Sequence, residues 1–362
     1  MRAFTYEPLP GRVVFGAGVG RSRLAPEAEA LGLARLLLIA TPRELPNALA
    51  LAKPLGGRVA GSFTGVKPHV PVEVAEAARA AARDAGADGV LAVGGGSTIG
   101  TAKAVALATG LPIVAVPTTY AGSEMTPIYG LTSGQRKQTG RSPAVLPRLV
   151  LYDPELTLSL PPAISGPSAM NALAHCVEAF YGPGANPVVS LMAEEGIRAI
   201  ARGAPAAVAR PAELDGRTEL LYGAYLAGAA LAAAGTGLHH KICHVLGGAF
   251  NLPHAGLHTA VLPHAVAFNE PALPAIMARV RAALGAPAGT SAAAATLALA
   301  RAVGAPTALR EIGMREEQID AILPEVVAHI PADNARPLTE AGIRALLEDA
   351  FWGREPAVER SA

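Results

Sequence analysis

Up to residue 155, short apolar runs alternate with segments of helical period. The runs RVVF (12–15), RLLLIA (35–40), RVAGSF (58–63), GVLAVGGGS (89–97), PIVAVPTT (112–119) and RLVLYD (148–153) have the length and bounding residues of strands. Between them, PVEVAEAARAAARDAG (71–86) and TIGTAKAVALATG (98–110) read as helices, each closed by a glycine. Strand and helix in alternation predict a parallel sheet with helices on both faces. Past residue 155 the strand pattern stops. Ala/Leu-rich segments broken by Pro and Gly follow at 168–181, 187–203, 217–234, 238–249, 274–285 and 290–303. The expected organisation is an α/β N-terminal domain over 1–155, an all-α C-terminal domain over 156–355 and a flexible polar tail over 356–362.

Composition narrows the function classes. At 362 residues the chain is too long for one small core and suits two domains. A formal net charge of +1 favours neither nucleic acid nor an anionic membrane surface as partner. The alanine-rich run LYGAYLAGAALAAAGTG (221–237) contains four glycines and adjoins LHHKICH, so it reads as a packed internal helix, not a membrane span. Cys176 and Cys243 are the only cysteines, which gives no disulfide framework and fits a reducing cytoplasm. The stretch MRAFTYEPLPGRVVFGAG lacks the apolar segment of a secretory signal. A cytoplasmic enzyme is expected.

Two loops at one sheet edge carry the first candidate chemistry. GVLAVGGGSTIGTAKAVAL (89–107) is strand, glycine turn and helix. Gly94, Gly95 and Gly96 allow close backbone approach, and the helix start beyond them, at Ser97, offers unpaired N–H groups and a positive dipole end. That combination is a phosphate or pyrophosphate cradle. It is neither G-x-G-x-x-G nor a Walker motif, so a plain tight turn stays open as the other reading. PTTYAGSEMT (117–126) follows the next strand with the hydroxyls of Thr118, Thr119, Ser123 and Thr126, where ligands bind in such sheets.

The histidines carry the second. Five of nine fall in LHHKICHVLGGAFNLPHAGLH (238–258): His239, His240, His244, His254 and His258. In SAMNALAHCVEAFY (168–181), Asn171 and His175 stand four apart and share a helical face, as His240 and His244 do. A carboxylate at 171 would make half of a metal site; an amide stands there. Weakly charged, Ala-rich helices have little reason to gather imidazoles except at a site. His69, in GVKPHVP, is a separate loop residue near the sheet edge, while His264 and His329 belong to no constellation. Cys243 with His244 or His239 makes a poor nucleophile pair, because adjacent helical positions point about 100° apart. No G-x-S-x-G elbow is present.

Taken together, VVFGAG, AVGGGS, PTTYAGSEMT, LYDPELTLSLPP, NALAHCVEAF, HKICHVLGGAFNLPHAGLH and VLPHAVAFN resemble the iron-containing alcohol dehydrogenase superfamily over almost the whole chain. The resemblance implies a dehydroquinate synthase-like fold, with a Rossmann-like domain for a nicotinamide cofactor and a helical domain that holds a metal. The superfamily's ligands, an Asp and a His four apart and two further His, fall on Asn171, His175, His240 and His254. His244 corresponds to a histidine close to the nicotinamide. Lys137, in SGQRKQTGR, corresponds to a lysine near the cofactor, with a solvated basic loop as the plainer alternative. Asn171 departs from the pattern. It is similar to the maleylacetate reductase branch, as are LIATPRE, FTGVKPHVP and SAMNALAHCVEA.

That branch implies reduction of the C=C bond of maleylacetate, a small dicarboxylate, to 3-oxoadipate in the breakdown of aromatic compounds, by a homodimer. An ionised Asp holds a divalent cation more firmly than a neutral amide oxygen does. Three histidines hold zinc in other proteins, but here no metal is expected. Asn171, His175, His240, His244 and His254 are then the expected catalytic set, with Lys241 and Tyr120 at the substrate. The second strand ends in LIATPRE, where an acid would bond the ribose 2′-OH and repel a 2′-phosphate. Ala40, Thr41 and Pro42 carry no charge and Arg43 is close, so both NADH and NADPH are expected to serve. Thr41, Pro42 and His69 complete the expected cofactor contacts. A metal-dependent alcohol or polyol dehydrogenase is the alternative that Asn171 argues against. Dehydroquinate synthase needs an intact metal site and a more basic phosphate pocket, and a nucleotide sensor leaves the histidines unexplained.

Overall fold

The apolar runs of the first part fold into β1 (Arg12–Phe15), β2 (Leu36–Ile39), β3 (Val59–Phe63), β4 (Gly89–Gly94), β5 (Ile113–Pro117) and β8 (Leu149–Tyr152), with a hairpin of β6 (Ile128–Ser133) and β7 (Arg136–Arg141) before the last. This computed structural model describes residues 4, 6, 8, 9, 11–134, 136–330 and 332–358, the side chains of 136 and 137 excepted. The six expected strands form one sheet in the order β1-β8-β5-β4-β2-β3, with every pairing parallel. Every residue of β2, β4, β5 and β8 is buried, as strands covered on both faces require, while the edge strands β1 and β3 are only partly buried. Helices α1 (Val19–Ala30), α2 (Leu45–Ala52), α3 (Val72–Asp84) and α4 (Gly96–Thr109) supply the covers. From β2 the chain runs outward to β3, yet β4 lies on the other side of β2. That reversal is a switch point, and it opens a crevice at the strands' carboxyl ends.

The hairpin replaces the basic loop that was the alternative reading of SGQRKQTGR. Ile128 to Ser133 pair antiparallel with Arg141 to Arg136. Its residues are half-buried or exposed where described, so no apolar alternation marks them. It has a mechanical task. Thr132 donates its N–H to Val70 O at 3.1 Å and its hydroxyl to His69 O at 2.8 Å. These bonds hold His69 and Val70 at φ 61° and 47°, a left-handed region that a β-branched residue avoids.

Buried Asp153, just past β8, ties the sheet to α1. Its carboxylate accepts from Gly18 N and Gly20 N at 3.0 Å each and from Glu155 N at 3.1 Å. Gly18, the N-cap of α1, has no side chain of its own to cap that helix.

The second part contains α5 (Pro162–Ala179), α6 (Pro187–Ala209), α7 (Leu214–Ala234), α8 (Leu238–Phe250), α9 (His254–Asn269), α10 (Pro274–Ala283), α11 (Ala292–Ala302), α12 (Gln318–His329) and α13 (Glu340–Trp352). α5 begins six residues earlier than the pattern suggested, because Pro162 at its first position is compatible with helix entry. α6 runs past Gly203 to Ala209. A Cβ on Gly203 would stand 2.4 Å from Leu220 N, so the glycine that looked like a stop serves close approach to α7. No single helix among the described residues is long and apolar enough to cross a membrane. Contacts divide the chain at Leu160/Pro161 and group Phe4 and Tyr6 with the helical unit. Residues 359–362 of the expected tail lie outside the described residues.

Replacing Asp153 with Ala strips three backbone donors of their acceptor. The expected loss is about 2–4 kcal/mol in the strand unit, read as a lower urea midpoint, with Asp153→Asn intermediate. A wild-type midpoint in Asp153→Ala contradicts this account of the tie.

Candidate active site

At the carboxyl edge of the sheet, close approach shapes the glycine run. Gly94 closes β4 with φ 154°, and a Cβ there would stand 2.5 Å from Thr98 Oγ1 and 2.8 Å from Glu44 Oε2. A Cβ on Gly95 would meet Thr119 Cγ2 at 2.9 Å. Gly95 is the N-cap of α4, and no side chain caps that helix. Its first N–H groups are therefore free for a ligand, and they favour phosphate. Gly96 is less crowded, with Ala121 Cβ at an ordinary 3.5 Å, and Ser97 is half-buried beside it. Thr41 Oγ1 and Thr118 Oγ1 each donate to Glu44, at 2.8 Å to Oε2 and Oε1 respectively. Pro42 is exposed next to them.

The loop after β5 is built on a buried cation. Lys103 Nζ, on α4, donates to Ser123 O at 2.6 Å, Thr126 O at 2.7 Å, Thr126 Oγ1 at 3.0 Å and Ile128 O at 2.7 Å. Burial pushes Lys103 down to about 7, opposed by the Glu124 carboxylate. The four oxygens favour its charged form. Glu124 is raised by its own burial, against the donated Tyr152 hydroxyl at 2.7 Å and the charge of Lys103. Thr126, expected at the cofactor, is buried with its hydroxyl donating inward to Ser123 O at 3.1 Å. Tyr120, expected at the substrate, is fully buried. His69 is exposed on its strained turn, and the side chain of Lys137 lies outside the described residues.

In the helical unit the expected residues do come together. Asn171 and His175 on α5 are buried, and Glu178, seven residues past Asn171, lies on the same face. The His175 and His240 rings stack with centroids 5.0 Å apart. His258 stands 4.7 Å from His240 and 4.4 Å from His254, and His244 is 6.0 Å from His240. His244 and His254 are exposed, and Lys241 is half-buried.

Glu178 is fully buried and organises this cluster. It accepts from Gly237 N at 2.9 Å, His239 N at 2.6 Å and His240 Nδ1 at 2.6 Å. Gly237, the N-cap of α8, has no side chain, so a carboxylate from α5 caps that helix. His239 Nε2 and His258 Nδ1 form a second bond at 2.9 Å. With those atoms engaged, Asn171 Oδ1, His175 Nδ1, His240 Nε2 and His258 Nε2 stand buried without a hydrogen-bond partner. Native interiors rarely leave such atoms unsatisfied, so four together mark a place for a ligand's polar atoms. Burial first, then the neighbouring imidazoles, push His175, His239 and His258 well below the usual histidine range. Burial raises the Cys243 and Cys176 thiols, and Cys243 Sγ lies 3.8 Å from His239 Nε2, so no thiolate nucleophile is prepared.

Residues 10–154 match the iron-containing alcohol dehydrogenase family, and residues 166–351 match the C-terminal region of the Fe-containing alcohol dehydrogenase family. The chain belongs to the iron-containing alcohol dehydrogenase family. It is accordingly an oxidoreductase that uses a nicotinamide cofactor. A maleylacetate reductase from Burkholderia cepacia is 49% identical over 357 residues, covering 99% of this chain and all of that protein. Maleylacetate reductase 2 from Cupriavidus pinatubonensis is 51% identical over 348 residues, 96% of each chain. The crystal structure of the maleylacetate reductase from Agrobacterium tumefaciens superposes with a TM-score of 0.93 at 44% identity, covering 98% of this chain and 100% of that one.

The glycine cradle fits the nicotinamide cofactor of this family, because a side chain at Gly94 or Gly95 would fill it. The family's iron fits less well. Its four ligand positions hold Asn171, His175, His240 and His254, all neutral donors, with no carboxylate among them to offset a dication. The tightest metal-like group among the described residues, His239, His240 and His258, has ligand atoms within 4.8 Å of one another. Yet His239 Nε2 and His258 Nδ1 are bonded to each other and His240 Nδ1 to Glu178.

Glu178 and Glu44 were absent from the expected site, and His239 and His258 were read as cluster members without a role. The spacing of 171, 175 and 178 along one helical face was the available signal for Glu178. Nothing local marked Glu44.

Acid should loosen the helical unit. Burial also lowers His264 to about 4, opposed by Asp349 and Glu355. A histidine whose folded value lies below its unfolded 6.5 takes its proton in the unfolded state first. Its stabilisation is complete above that value and is lost as pH falls below it, by up to about 1.4 kcal/mol per pH unit for each group. The urea midpoint of the helical unit is expected to drop between about pH 7 and about pH 5, and His264→Gln to flatten part of the slope. A flat midpoint contradicts burial of neutral imidazoles.

Proposed function

We propose that this chain reduces the C=C bond of maleylacetate with NADH or NADPH, giving 3-oxoadipate, and does so without a metal. The four unpartnered buried polar atoms, on a cluster with no anionic metal donor, carry this reading. Full-length likeness to maleylacetate reductases supports the substrate. The small dicarboxylate brings oxygens that can accept from those imidazole nitrogens that carry a proton.

A reduced nicotinamide cofactor held at the glycine cradle would supply the hydride for the alkene carbon β to the ketone. The electron pair of the double bond moves onto the ketone oxygen as an enolate, and a proton then closes the adjacent carbon. His240 is placed for this. Glu178 holds its Nδ1–H, so Nε2 is the nitrogen left for the substrate, and with a second proton there, as the imidazolium, it donates to the oxyanion and passes that proton on. Asn171, through its side-chain amide, and His175, through Nδ1, offer further polar contacts beside it. Lys241 and the exposed His244 and His254 suit the substrate's carboxylates. The uncapped start of α4 behind the crowded Gly95 would receive the cofactor's pyrophosphate, with Ser97 and Thr119 around it. The same reading carries a cytoplasmic homodimer, after the family resemblance.

Purified enzyme is expected to oxidise NADH with maleylacetate and not with simple aldehydes, and to keep its rate in chelator. Elemental analysis showing one metal per chain, with activity lost on its removal, contradicts the metal-free mechanism. His240→Ala should lower kcat by at least about 100-fold while NADH affinity changes much less. Near-wild-type kcat in that variant removes the proposed donor.

A further inference from the structure

The end of β2 lacks an acid at Ala40, Thr41 and Pro42, but the structure returns one to the same place. Glu44 is the N-cap of α2, and the fold turns its side chain back over the strand ends. Oε2 accepts from Thr41 Oγ1 and Oε1 from Thr118 Oγ1, both at 2.8 Å. Oε2 also lies 2.8 Å from where a Cβ on Gly94 would stand. One carboxylate thus spans the carboxyl ends of β2, β4 and β5, at the switch point of the sheet. It is half-buried, and among the described residues no Lys or Arg pairs with it. Its charge is therefore not neutralised locally, and two hydroxyl donors fix its position.

We propose that Glu44 is the residue that discriminates between the two nicotinamide cofactors, accepting from the adenosine ribose 2′-OH of NADH and repelling the 2′-phosphate of NADPH. The inference rests on the nicotinamide reading of the strand unit and deepens it. A ribose hydroxyl donates to a carboxylate, and the lone pairs left after two threonine bonds have room for that donor. A 2′-phosphate offers only acceptors and carries like charge. Even at an effective dielectric between protein surface and water, like charges a few ångströms apart differ from a neutral pair by about tenfold or more in affinity. The enzyme therefore uses both cofactors but favours NADH, and the preference originates at residue 44 and not at the strand end proper. Thr118 acts as a positioning residue, holding the carboxylate toward the crevice from the neighbouring strand.

The test is direct titration of the cofactor-free full-length protein with NADH and with NADPH, followed by nucleotide fluorescence, in wild type, Glu44→Gln and Thr118→Val. Glu44→Gln keeps an acceptor for one threonine and removes the charge. It is expected to shift the NADPH-to-NADH affinity ratio by about tenfold or more toward NADPH. The wild-type ratio should also move toward NADPH as salt is raised, whereas the Gln variant's ratio should stay level, because only a charge is screened. Thr118→Val should move the ratio in the same direction by less, which keeps the test open if the Gln variant fails to fold. An unchanged ratio in folded variants, or a wild-type ratio insensitive to salt, overturns the role of Glu44 while leaving cofactor binding intact. Absence of binding by either nucleotide in wild type overturns the nicotinamide reading as well, and no maleylacetate is needed to see the difference.

Discussion

The helical unit depends on one buried carboxylate. An ionised acid survives without water only if donors surround it, and Glu178 has three: two backbone N–H groups at the start of α8 and the Nδ1 of His240. The positive end of the α8 dipole adds to them. Because two of the donors belong to the backbone of α8, the bond that steadies the charge also fixes where α8 begins relative to α5. His240 is carried along with its ring orientation set, and Lys241 and His244 follow on the same helix. Remove the carboxylate, and a helix start and an imidazole lose their partner together.

The same carboxylate explains how an amide is tolerated at 171. In the family pattern an acid at this position lies among the histidines and faces a metal. Here Glu178 is the carboxylate that bonds His240, and it is saturated from behind by α8. The polar atoms left without a partner are Asn171 Oδ1, His175 Nδ1, His240 Nε2 and His258 Nε2, none of them a carboxylate oxygen. A dication would find lone pairs but no countercharge. An anionic dicarboxylate with a ketone meets the opposite situation, since it brings the charge and the acceptors itself. No prior counterion has to be displaced for it to enter.

What the sequence made legible follows burial. LLLI, GVLAVG, IVAVP and LVLY are buried on both faces, so continuous apolar runs announced them. IYGLTS and RKQTGR pair with each other and bury little, so they left no such trace. α5 was foreshortened because Pro162, Gly166 and Pro167 read as breakers. In the fold Gly166 allows approach to the Val303 carbonyl, where a Cβ would stand 2.3 Å away. That His175, His240, His244 and His254 gather was legible through helical spacing and chemistry. Glu44 was not, since its partner Thr118 lies 74 residues away and only the sheet order brings the two together.

Lys103 and Glu178 share a design that no single-residue pattern announces. Each is a buried charge satisfied chiefly by backbone groups, three carbonyls for the ammonium and two N–H groups for the carboxylate. A counterion would neutralise such a charge but leave the chain around it free to move. Backbone partners instead convert the charge into a fixed loop or a fixed helix start. The Ser123–Thr126 segment and the first turn of α8 are held in this way. Such dipoles are oriented before any ligand arrives, which is the condition under which polar groups stabilise developing charge without reorganising. Glu44 stands apart from this pair. Side-chain hydroxyls hold it and it is only half-buried, so its charge still reaches into the crevice. Saturation by backbone separates the charges that build the site from the one left to act on what enters it.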